Sequence, residues 1–335
     1  MATATWLAIG AGLGGTVAVS YLVEALRRRP KTPESLVWGL GLPVSYATVH
    51  GARLRYIKTG SGRPLVLLHT LRTQLDIFQK VIPELAREFT VYAVDLPGHG
   101  WSDIPEGDYS PAFFTPYVGG FLDALNISGA LVAGVSIGAG IGLLLASEGH
   151  PRVKAVVAIN PYDYGQRGIE RANAVAKALF SLASVPILGD TVMRFRNRLV
   201  EGRVLQGGVA YAEALPPTFA EEVFRVGERP GHYQAFLQLI RHMPLWRETH
   251  AQYSRVRLPV LLVYGDRDWS REPERLRTAS EIPGARLVIV HEGGHFLSLD
   301  QPTALIQHIR TFAQDLGLLP RNAGVSEPAT NQGSS

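Results

Sequence analysis

The chain has 335 residues, 46% of them hydrophobic, a formal net charge of +4 and no cysteine. It is long enough for one large α/β domain or two small ones, and disulfides, thiolate metal sites and a cysteine nucleophile are excluded. Its arginines are scattered apart from Arg27-Arg28-Arg29, so the charge does not outline a nucleic-acid groove.

In chain order, Ala2–Val23 carries no charge, and Trp6–Val23 is strongly apolar. About 20 such residues cross a bilayer as a helix. Positive charge follows this run, at Arg27-Arg28-Arg29 and Lys31, rather than preceding it as in a secretory signal. Positive flanks stay cytoplasmic. Residues 1–29 are therefore expected to form a single-pass membrane anchor with the rest of the chain in the cytoplasm. The alternative is a soluble cytoplasmic chain, or a helix lying on the surface or in the bilayer interface.

Residues 30–44 read as a linker. Ser45–Val49 and Arg53–Thr59 alternate around His50-Gly51, the pattern of an antiparallel hairpin. Pro64–His69, Thr90–Asp95, Ala130–Ala133 and Val153–Ile159 are continuous apolar runs of strand length, as expected of strands buried on both faces. Helices are expected at Asp76–Glu88, Ser110–Leu125 and Ile137–Ser147. Strands alternating with helices predict a mostly parallel sheet covered on both sides. The rhythm stops after Asn160. Residues 164–258 read as helices with proline breaks, at Ile169–Leu182, Thr191–Val200, Thr218–Val226 and Tyr233–His242, and suggest an inserted cap. Strands return at Pro259–Tyr264 and Arg286–Val290, before a last helix at Thr303–Leu316. The polar tail, 320–335, is expected to be disordered.

The chemistry centres on Gly134-Val135-Ser136-Ile137-Gly138, a G-x-S-x-G pentapeptide between a strand and a helix. In that setting a serine sits on a strained turn with its hydroxyl raised above the sheet, and the glycines let neighbouring backbone pass close. Serine needs a base, and the base needs an acid to hold its tautomer. Two late loops, each after an apolar strand, offer Asp266 or Asp268 and His291 or His295.

Together these motifs resemble the α/β-hydrolase superfamily over roughly residues 45–316. The resemblance implies an α/β-hydrolase fold with a helical cap and the chain order Ser, acid, His. It points to Ser136 as nucleophile, to Asp268 through a Gly-x-x-Asp pattern, and to His295 within Gly294-His295-Phe296. It carries the oxyanion donors onto the N–H groups of Leu71 and Ile137. Asp95-Leu96-Pro97-Gly98-His99-Gly100-Trp101-Ser102 matches a structural turn of the family, with His99 a loop residue rather than a base. One departure concerns the third strand, where the family commonly has His-Gly and this chain has His69-Thr70. Threonine is disfavoured wherever φ must be positive, so a different loop path is expected there. Relatives that cleave epoxides or carbon–halogen bonds attack with aspartate at the elbow, whereas Ser136 implies an acyl intermediate.

The chain lacks a G-x-G-x-x-G fingerprint, and His232, His242 and His250 lack helical metal-ligand pairing. Neither a cofactor nor a metal is expected. Phe180, Leu182, Met193, Phe195, Phe224, Phe236, Leu239, Met243 and Trp246 are candidates for an apolar lining within the cap. The expected activity is hydrolysis of a lipophilic carboxylic ester. The competing readings are an acyltransferase or C–C bond hydrolase with the same triad, or a ligand-binding member of the fold.

Overall fold

The computed structural model describes residues 2–38, 41–164 and 168–320. Among them, β1 (Ser45–Val49), β2 (Ala52–Thr59), β3 (Arg63–Leu68), β4 (Phe89–Val94), β5 (Ala130–Val135), β6 (Val153–Ile159), β7 (Val260–Gly265) and β8 (Arg286–Val290) form one sheet. Its order is β1-β2-β4-β3-β5-β6-β7-β8. The hairpin strands β1 and β2 are antiparallel to each other, and β2 is antiparallel to β4. From β4 to β8 every pairing is parallel. Along β3, Leu65 and Leu67 join the core on one side while Val66 and Leu68 join the core on the other. Successive strand residues point to opposite faces, so only a run apolar at every position can be buried on both. β5, β6 and β7 divide their residues the same way.

The helices longer than one turn are α1 (Ala2–Ala25), α2 (Pro111–Ala124), α3 (Ile137–Ser147), α4 (Ala174–Ala183), α5 (Leu188–Arg194), α6 (Arg198–Gln206), α7 (Pro217–Gly227), α8 (His232–Arg241), α9 (Met243–Glu248), α10 (Glu272–Glu281) and α11 (Pro302–Asp315). Side chains of α2 and α3 cover one face of the sheet, and those of α11 cover the other. α4 to α9 form the helical insertion between β6 and β7.

Several expected elements are shorter or split. The helix expected over Asp76–Glu88 is a 3-10 turn, Leu75–Phe78, and a single helical turn, Ile82–Leu85. Pro83 lacks the N–H needed to continue a preceding helix and begins the second turn instead. Asn173 and Asn197 each accept a backbone N–H three residues on, starting α4 and α6 and dividing the longer helices expected there. α9 and α10 were not anticipated.

The expected N-terminal membrane anchor is not supported. Among the described residues no helix is long and apolar enough to cross a membrane. Side chains of α1 are described from Gly14 onward, and this part packs on α5 of the insertion. Ser20 is buried. Glu24 pairs with Arg196 at 2.6 Å and Arg27 with Glu228 at 3.2 Å. Arg27 also donates to the carbonyls of Arg194 and Arg196. These contacts make the end of α1 part of the folded body, and the anchor with its free tether finds no support. The tail, 321–335, lies outside the described residues.

Candidate active site

Ser136 occupies the turn between β5 and α3 with φ +58° and ψ −114°. A positive φ is costly for a residue bearing Cβ, so the surrounding structure must hold it. Backbone contacts do so: Ser136 N–H donates to Ile159 at 2.9 Å, and its carbonyl accepts from Gly140 and Tyr162. The flanking glycines are dictated by space. A Cβ on Gly134 would lie 2.2 Å from the carbonyl of Gly138, and one on Gly138 would lie 2.3 Å from that of Leu68. The second contact draws the end of β3, and the loop after it, against the start of α3. Ser136 Oγ is buried and has no hydrogen-bond partner.

His295 follows β8 and Asp268 follows β7. His295 Nδ1 and Asp268 Oδ1 are 2.6 Å apart, with both side chains fully buried. Burial alone would raise the Asp268 carboxyl. The His295 charge and hydrogen bond, with two donors from Ser270, outweigh it and hold Asp268 below the usual carboxylate range. His295 Nε2 is buried and has no partner within the chain. Trp269 stacks on the imidazole, ring centroids 3.7 Å apart and planes 10° apart. Asp266 and His291, the other acid and base offered by the sequence, also pair at 2.6 Å, but on the surface with His291 largely exposed.

Asn160, at the end of β6, was not anticipated. Its amide donates to the carbonyls of Gly294 and His295, both at 3.0 Å, and accepts from Gly265 N–H at 2.9 Å. One buried side chain thus ties the loop of the base to the strand of the acid. Asp300 ties the same loop to the insertion, accepting from Gly294 and Ala210 N–H groups. Burial pushes its carboxyl up to about 6. Neither residue has a local sequence signature, because each acts through main chain distant in sequence.

The loop after β3 resolves the threonine departure. The left-handed residue is Arg72, at φ +54°, and Thr70 is not strained. His69 Nε2 accepts from Leu96 N–H at 2.9 Å. Its proton therefore sits on Nδ1, which donates to the Thr70 carbonyl at 2.7 Å. Burial lowers this histidine to about 4, so it stays neutral. Thr73 adds its N–H and hydroxyl to the same carbonyl. In a trans peptide the N–H points opposite the C=O, so three donors on Thr70 fix the direction of Leu71 N–H. Ile137, first residue of α3, has no intrahelical acceptor for its own N–H. Arg72 reaches into the insertion and forms a buried bidentate pair with Glu201, Nε to Oε1 being 2.9 Å.

The turn following β4 is structural. Asp95 accepts from Leu75 and Trp101 N–H groups and from Arg55, and a Cβ on Gly100 would lie 2.1 Å from its carboxylate. His99 is buried in that turn beside His69. Of the apolar residues proposed to line a pocket, Phe180, Phe236, Met243 and Trp246 are buried, whereas Leu182 and Phe195 face outward. Among the described residues no cluster of potential metal ligands is present.

A doubly covered sheet with a serine elbow, a buried Asp–His pair on the loops after β7 and β8 and an inserted helical segment defines a hydrolase scaffold. The model of the alpha/beta hydrolase fold family matches residues 63–302, and the chain belongs to that family. It is similar to the pimeloyl-[acyl-carrier protein] methyl ester esterase of Stenotrophomonas maltophilia, 29% identical over 75% of this chain and 93% of that one. It is also similar to haloalkane dehalogenase 2 of Mycobacterium tuberculosis, 28% identical over 75% and 87%. Among solved structures, Cfl2 from Burkholderia cenocepacia superposes with a TM-score of 0.73, at 25% identity, covering 84% of this chain and 99% of that chain.

Proposed function

We propose that this hydrolase cleaves a hydrophobic carboxylic ester through an acyl-enzyme on Ser136. The observation that carries the reading is the pair of buried, unpartnered atoms, Ser136 Oγ and His295 Nε2, behind an Asp268 already engaged with the same imidazole. An unpaired buried polar atom is costly unless a substrate completes it. In the reaction, Ser136 Oγ attacks the ester carbonyl while His295 Nε2 takes its proton. Leu71 and Ile137 N–H groups receive the developing oxyanion. The imidazolium, stabilised by Asp268, returns the proton to the departing alkoxide. A water molecule, deprotonated by the same nitrogen, then releases the acid. The insertion acts as a cap, and its apolar interior favours a lipophilic acyl group.

Ser136 also argues against the dehalogenase chemistry named for one relative. Attack by a serine oxygen on an alkyl halide would leave an ether, which water does not cleave under these conditions, so turnover would stop. Esters should be hydrolysed and haloalkanes should not.

The test is rapid covalent labelling by a fluorophosphonate probe together with turnover of p-nitrophenyl esters of increasing chain length. Ser136→Ala should fold normally, since alanine leaves the turn's backbone unchanged, yet lose both signals. Labelling without ester turnover would redirect the reading to acyl transfer or C–C cleavage. Absence of labelling in the folded wild-type chain would leave a ligand-binding member of the family.

A further inference from the structure

The described part of α1 is amphipathic in the reverse of the usual sense. Ser20, Glu24 and Arg27 point inward, onto Arg194, Arg196 and Glu228. Val19, Leu22 and Leu26 point outward, Leu26 with 74% of its surface exposed. At spacings of three and seven residues these three share one helical face. A helix bathed in water shows the opposite arrangement. The turn leading into α5, the helix on which α1 packs, also exposes apolar side chains, Val185, Ile187 and Leu188. Ile187 is 69% exposed and holds φ at +66°, a backbone that a β-branched residue seldom adopts.

After α1 and the turn Leu26-Arg27 that closes it come Arg28, Arg29 and Lys31, all exposed. Glu34 is the one acid between residues 28 and 38. A large apolar patch beside a basic cluster fits the boundary of an anionic bilayer, where apolar side chains enter the acyl region and cations meet headgroup phosphates. A second copy docking through the same face would bring two basic clusters together with no acidic run to meet them. Next to this surface lies a cavity of about 220 Å³, lined by Leu179, Val192, Met193, Phe195, Arg72 and Glu201 among others. It joins the outward-facing Phe195 to the loop that carries Leu71 N–H.

We infer that the outer face of α1 and the Val185–Leu188 turn form a docking surface for an anionic lipid bilayer, which the chain touches without crossing. A lipophilic substrate dissolved in that bilayer would then lie beside the cavity. The docking does not depend on the catalytic reading; only the use of the cavity does.

The full-length chain should co-float with vesicles of phosphatidylglycerol and phosphatidylcholine, and bind them less as salt is raised. Arg28→Gln with Arg29→Gln should weaken binding to these vesicles by about thirty-fold, since each surface cation is worth about a factor of five. Ile187→Asn should weaken it by about ten-fold while leaving thermal stability equal or higher, because asparagine tolerates a positive φ and loses the buried side-chain area in lipid. Neither variant touches the candidate site, so turnover of p-nitrophenyl butyrate should be unchanged. Vesicle binding untouched by both variants would overturn the inference and assign any affinity to residues before Gly14. Failure of the wild-type chain to bind, or a lipid-free dimer that Ile187→Asn dissociates, would overturn it as well. An inactive but vesicle-binding protein would sink the catalytic reading alone.

Discussion

At the scale of single residues, two Asp–His pairs compete for one role, and burial separates them. Asp268–His295 is sealed from water, whereas Asp266–His291 is open to it. A buried acid that fixes the tautomer of its histidine is worth about 10⁴ in turnover in serine proteases. Asp268→Asn should therefore lower kcat by about that factor, while Asp266→Asn changes it less than about three-fold. The reverse ranking in steady-state kinetics would exchange the assignments. The residues alone left both pairs open, since both acids follow β7 and both histidines follow β8. Only the resemblance to a family preferred the inner pair. Asn160 and Trp269 escaped notice because their contribution is contact with main chain or a ring face, which no spacing encodes, and Ser270 because it acts by donating to the Asp268 carboxylate.

At the scale of elements, the site is set by close backbone approaches. A Cβ on Gly265 would stand 2.1 Å from the carbonyl of Gly293. Gly265→Ala must therefore part the end of β7 from the loop of His295. Misplacing catalytic groups by about 1 Å costs about 10²-fold, so kcat should fall by that order with circular dichroism unchanged. Wild-type kcat in this variant would show that the two loops are not held by the contact. The Arg72–Glu201 pair makes the second approach, between the Leu71 loop and α6. Removing one partner of a buried ion pair costs about 3–5 kcal/mol, whereas replacing both by apolar residues is often neutral. Arg72→Met or Glu201→Leu alone should lower the urea midpoint sharply, and the double variant should recover most of it. Simple additivity of the two losses would refute the coupling. Strands were legible because apolar runs have one meaning in a doubly covered sheet. The insertion was legible as helical but not in its divisions, since Asn173 and Asn197 cap helices inside stretches whose apolar pattern continues.

At the scale of the whole molecule, the body is sensitive to acid through neutral histidines in its interior. Burial, with His69 nearby, lowers His99 to about 3, against 6.5 in an unfolded chain. Between these values the unfolded chain binds a proton that the folded chain refuses. The stability associated with neutral His99 is therefore complete above about pH 6.5 and declines as pH falls toward 3, by about 1.4 kcal/mol per unit. Relative to wild type, His99→Asn should gain about 2 kcal/mol on going from pH 6.5 to pH 5, whatever its stability at neutral pH. Urea titrations at the two pH values measure this, and a pH-independent difference would show that His99 is protonated in the folded state. The N-terminus is where sequence and structure part most widely. An uncharged run of 22 residues satisfies the length rule for a bilayer span. Nothing local reveals that Ser20, Glu24 and Arg27 find partners more than 160 positions away.

The stacking of Trp269 on His295 also makes the base visible to light. An indole in face contact with a neutral imidazole emits normally, whereas the imidazolium is an electron acceptor that quenches the excited ring. In the proposed mechanism each turnover creates and discharges that cation beneath Trp269. In a stopped-flow mixing experiment, emission should dip within each of the two steps that pass through the imidazolium, formation and hydrolysis of the acyl-enzyme, and return between them, where the imidazole is neutral. Trp269→Phe should abolish the transient against the steady background of the other tryptophans, giving a direct optical record of proton movement at the base.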